Sequence, residues 1–122
     1  MIGNTSMPDG MTPFILIARI TVKEDKIEEY LNLADQTDKA VEASEPGMLF
    51  HNFDADPNDP KKFVWSEIYR YSSDFLFHAD NPPVQDYVAK HGELADYFSI
   101  EIYGDVSEEV VSKIKLDRKS VV

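Results

Sequence analysis

Residues 48–71 read MLFHNFDADPNDPKKFVWSEIYRY, and the rest of the fold is arranged around them. Met48 to Phe53 is short, apolar and aromatic, the pattern of a strand. Asp54-Ala-Asp-Pro-Asn-Asp-Pro60 has the composition of a turn or short loop. Lys62 to Tyr71 is a further strand, with Phe63, Trp65, Glu67 and Tyr69 on one face and Val64, Ser66, Ile68 and Arg70 on the other. Two strands joined by a short polar loop form a hairpin.

Toward the N-terminus, Phe14-Ile-Leu-Ile-Ala-Arg-Ile-Thr-Val22 is β-branched and apolar. It reads as a strand buried on both faces for most of its length, with Arg19 and Thr21 on the face of Ile15 and Ile17. Between this strand and the hairpin lies an amphipathic helix, about Asp25 to Ala43. Its apolar face carries Ile27, Tyr30, Leu31, Ala34, Thr37 and Val41 at spacings of three and four. Pro46-Gly47 stops it.

Toward the C-terminus, Ser72-Ser73-Asp74 signals a helix start, and a short helix runs through Phe75 to Ala79. Asp80-Asn81-Pro82-Pro83 breaks it and begins another, with Val84, Tyr87, Val88, His91, Leu94 and Ala95 on one face and Gly92 as a weak point. Ser99 to Tyr103 is the last strand. Ser107-Glu-Glu109 caps a final amphipathic turn or two, and a disordered tail is expected from Lys115.

The order βαββααβ is the ferredoxin-like split βαβ arrangement, an α+β fold with helices on one face of an antiparallel sheet. The other face needs a cover, and no second helical layer is available within the chain. A second copy is the economical cover, which predicts a homodimer forming a dimeric α/β barrel. The expected organisation is a flexible arm over residues 1–13, one domain over 14–105, and a helical extension and tail over 106–122.

Twelve basic against 23 acidic residues leave a net charge of −11. Such a field repels phosphate backbones and anionic lipid, which argues against nucleic-acid and membrane partners. No apolar run approaches the roughly 20 residues of a membrane span. The first residues lack the basic and apolar regions of a signal peptide, so a cytoplasmic location is expected. With no cysteine, thiolate chemistry and disulfides are excluded. The three histidines are scattered, no Gly-rich phosphate loop is present, and neither a metal nor a cofactor is expected.

Three motifs resemble the antibiotic biosynthesis monooxygenase family: Glu45-Pro46-Gly47, the Asp56 to Pro60 loop before Phe63 to Tyr69, and His78 ahead of Asn81-Pro82. The resemblance covers about Phe14 to Tyr103. It implies a cofactor-independent monooxygenase acting on a small aromatic, quinol- or phenol-like molecule. Heme-degrading members carry Asn, Trp and His at positions that read Ala18, Tyr69 and Ala89 in this sequence, which argues against that activity.

His78 is the expected base and Glu67 its partner or a second proton acceptor, since a carboxylate on an aromatic face has its pKa raised. Trp65, Tyr69, Phe75 and Asn52 are the expected substrate-binding residues. Each also has a structural reading: Glu67 could bond to His78 or to a helix N-terminus, the aromatic residues could be core, and Asn52 could satisfy a backbone group. Two other functions share the pocket, an isomerase using the same base and a non-catalytic small-molecule-binding dimer.

Overall fold

A computed structural model describes residues 10–117. β1 (Phe14–Val22) alternates along its whole length. Phe14, Leu16, Ala18, Ile20 and Val22 are buried, while Ile15 on the opposite face is 43% exposed. The strand expected to be buried on both faces is therefore buried on one in the single chain.

A 3-10 turn (Glu24–Lys26) leads into α1 (Ile27–Ser44). Tyr30, Ala34, Thr37 and Val41 are its buried residues, spaced by four, three and four as a helix face requires. Leu31, at the edge of that stripe, stays exposed.

The hairpin is longer than its composition suggested. β2 (Met48–Asp56) and β3 (Asp59–Tyr69) leave only Pro57 and Asn58 between them. Asn58 N–H donates to Asp56 Oδ1 at 2.8 Å, a side-chain-closed turn. Of the residues expected to form a loop, Asp54, Ala55, Asp56 and Asp59 are ladder residues, and Asp54 and Asp56 keep their side chains in solvent.

After the hairpin come α2 (Ser72–Asp80), α3 (Pro82–Ala89) and the single turn α4 (His91–Leu94). The interruption falls at Lys90, two residues before Gly92. β4 begins at once and is long (Ala95–Tyr103). The sheet order is β2-β3-β1-β4 with every pairing antiparallel, the ferredoxin-like topology.

α5 (Glu108–Asp117) closes the described chain. Ser107 caps it, its Oγ accepting the Val110 N–H at 3.3 Å. The Ser107 N–H in turn donates to Ser72 Oγ at 3.0 Å, and Val110 is fully buried.

Most of the expected N-terminal arm, residues 1–9, and the tail from residue 118 lie outside the described residues. Gly10 is docked on the body: its carbonyl accepts the Ser72 N–H at 2.9 Å. Its φ of +81° is a left-handed conformation that favours glycine. No helix among the described residues is long and apolar enough to cross a membrane.

Candidate functional site

Strand alternation aims one face of β1 and β3 at the helices, and a cavity of about 600 Å³ lies there. Its wall includes Ala18 from β1, Trp65 and Glu67 from β3, Phe75 and His78 from α2, and Tyr87 from α3. The lining is mostly apolar with a few polar groups, the usual make-up of a small-molecule site.

Glu67 is 8% exposed and accepts a hydrogen bond from Tyr69 Oη at 2.7 Å. Burial pushes its pKa up, because the charged form loses its water; the positive charge of His78 and the Tyr69 hydroxyl oppose the rise. Tyr69 itself is fully buried and lies outside the cavity wall. It supports Glu67 from behind, and burial beside that carboxylate holds its own pKa well above the phenol range.

His78 reaches a different carboxylate from the one expected. Its Nδ1 lies 2.9 Å from Oε1 and 3.0 Å from Oε2 of Glu45, the residue that ends the first helix. Glu67 acts on His78 through its charge. Burial resists protonation of the ring, but the Glu45 hydrogen bond and the charges of Glu67 and Glu45 outweigh it, and the pKa is raised.

Glu45 is 5% exposed, and Asn81 Nδ2 donates to its Oε2 at 2.7 Å. A buried carboxylate survives when its lone pairs are used in this way. Sequence reading placed Glu45 only in a turn motif. The signal for it was electrostatic: an acidic residue at a helix C-terminus opposes the helix dipole, so it needs another reason to be there.

The remaining expectations divide. Trp65 and Phe75 line the cavity. Trp65 also donates its indole N–H to Tyr87 Oη at 2.7 Å, and the Tyr87 hydroxyl meets that of Tyr30. Asn52 does not join them. It pairs with Ser66 on the opposite sheet face, is exposed, and donates to Asp54 Oδ2 at 2.7 Å. The reason is register: Trp65 pairs with Phe53 and Glu67 with His51, so Asn52 must point away.

His51 faces α1, with Nδ1 2.5 Å from Asp38 Oδ1 and Nε2 2.5 Å from Glu42 Oε1. Among the described residues, no group of three His, Cys, Asp or Glu side chains is placed to hold a metal ion.

Residues 13–90 match the sequence profile of the antibiotic biosynthesis monooxygenase family. The chain belongs to this family. The matched segment contains Glu45, Glu67 and His78 together. The chain is 32% identical over 92 residues to the uncharacterized protein sll1783 of Synechocystis sp., an alignment covering 75% of this chain and 62% of that protein's length.

Solved structures of similar fold include a proposed antibiotic biosynthesis monooxygenase of Caulobacter crescentus, with a TM-score of 0.73 and 19% identity over 81% of this chain and 94% of that one. Another, from Bacteroides thetaiotaomicron and described in the same way, has a TM-score of 0.72 and 18% identity over 79% and 91%. At these identities the likeness is one of fold.

Proposed function

We propose that this family member is a cofactor-independent monooxygenase that oxidises a small quinol- or phenol-like aromatic with dioxygen. The observation that carries the reading is the Glu45-bound His78 on the wall of an aromatic cavity. Glu45 accepts a hydrogen bond from Nδ1–H, which leaves Nε2 as the basic nitrogen of the neutral ring. A phenol in the cavity gives its proton to that nitrogen.

The resulting phenolate is electron-rich and reduces dioxygen directly. For a phenol with a free para C–H, the substrate supplies all four electrons. One oxygen atom ends as the new quinone carbonyl and the other leaves as water with the two displaced hydrogens. Trp65 and Phe75 hold the ring and exclude bulk water. Glu67, with its raised pKa, receives or returns the second proton.

A homodimer belongs to the same proposal. Ile15, Phe50 and Tyr103 stand exposed on the sheet face away from the helices. A second copy laid on that face would cover them.

The test is oxygen uptake by metal-stripped protein against a panel of quinols and polycyclic phenols, beside His78→Ala. Uptake that falls by about 100-fold or more in the variant is the expected result. Unchanged turnover in His78→Ala rejects the base, and product formed without oxygen uptake marks an isomerase instead.

A further inference from the structure

We infer that α5 makes the cavity selective for an aromatic substrate that carries an acid group, with Lys113 as the residue that receives it. This rests on reading the cavity as a small-aromatic site. α5 lies beyond the segment that matches the family profile, which ends at residue 90. It nevertheless supplies Lys113 and Ile114 to the cavity wall.

The helix is held firmly. Val110 is fully buried, and Ser107 ties the helix start to Ser72 on α2. Lys113 is thus presented from a fixed backbone. Among the described residues it is the one Lys or Arg in the wall.

Its electrical setting makes that placement matter. A chain with a net charge of −11 repels anions as a whole. Of the cavity carboxylates, Asp38 is engaged by His51 and Glu67 by Tyr69. Asp96 lies toward the Val22 end of β1, as the pairing of Val22 with Ala95 requires. An acid group entering the cavity finds attraction at Lys113.

Lys113 is held by Asp80, with Nζ 2.9 Å from Oδ1. The side chains are 29% and 64% exposed, respectively. Water screens a pair with one partner so open, so a carboxylate from the cavity side can share Lys113 with Asp80. The substrate class is therefore a phenol or quinol bearing a carboxylate, with the hydroxyl at His78 and the acid toward α5.

The test is calorimetric titration with two probes of one ring system, 1-hydroxy-2-naphthoate and its methyl ester. The native protein should bind the acid about fivefold or more tightly than the ester. Lys113→Ala should remove that preference, Lys113→Glu should reverse it, and Lys113→Arg should retain it. Because Lys113 is partly exposed, circular dichroism should show all three variants folded.

A native protein that prefers the ester, binds both alike, or takes neither overturns the inference. So does a preference that survives Lys113→Glu. The readout is binding alone. Failure of oxygen uptake with this binding pattern intact would reject the monooxygenase and leave the selectivity standing.

Discussion

His78 and Glu45 are joined across 33 residues of sequence, the ring Nδ1 lying within 3.0 Å of both carboxylate oxygens. The contact links α2 to the residue that ends α1, so two separate elements set the orientation of one imidazole. Glu45 lies outside the cavity wall and is a positioning residue. Glu45→Gln keeps the shape and an oxygen for Asn81 but removes the charge. The expected result is a kcat lower by about 10- to 100-fold with KM changed less than about threefold. The His78 ring should also titrate at lower pH by NMR. An unmoved titration would mean that Glu45 only fills space.

Stability should fall as pH rises. The folded pKa values of His78, His51 and Glu67 are all raised, so the folded chain binds more protons than the unfolded one. Such groups contribute stability that is complete below their unfolded pKa and lost as pH climbs through the folded pKa. For Glu67 the loss starts from the ordinary value of 4.5, and for the histidines from 6.5. Thermal scans from pH 5 to 9 should show a falling Tm, with a shallower fall in His78→Gln. A Tm that climbs over that range would contradict these shifts.

Tyr69→Phe deletes the hydroxyl bonded to Glu67 without opening a large cavity. The carboxylate then loses its donor while staying buried, a cost of about 1–3 kcal/mol. The cost should shrink as pH drops and Glu67 becomes neutral. Urea denaturation at two pH values measures it. A pH-independent loss would assign the effect to packing.

Gly47 is required by its neighbour. A Cβ there would lie 1.9 Å from Asp74 Oδ1. Asp74 is not free to swing away: its carboxylate accepts the Tyr71 N–H at 3.0 Å and pairs with Arg70. Gly47→Ala should destabilise by about 1 kcal/mol or more through loss of this cap. Introduced into Asp74→Ala, the same change should cost much less. Equal costs in both backgrounds would rule out the contact as the cause.

The strand and helix succession, most of the α1 face and the inward side of β3 were legible because each follows from periodicity. Trp65 and Glu67 share a face by alternation alone. The hairpin ends were not legible, since Asp54 to Pro60 carries turn composition while backbone pairing continues beneath exposed side chains. Nor was the partner of His78. Periodicity places a residue on a face of its own element, whereas Glu45 and His78 meet because the fold brings α2 to the end of α1. Asn52 was misplaced because its polarity drew a functional reading that register overrules.

Trp65 has a use outside catalysis. It is the chain's single tryptophan, buried in the cavity wall with its N–H bonded to Tyr87. Its fluorescence therefore comes from one place, the wall of the site. A quinone arriving or forming there would quench it at contact range. The protein carries its own optical gauge of occupancy, and unlabelled compounds can be screened by emission alone before any reaction is known.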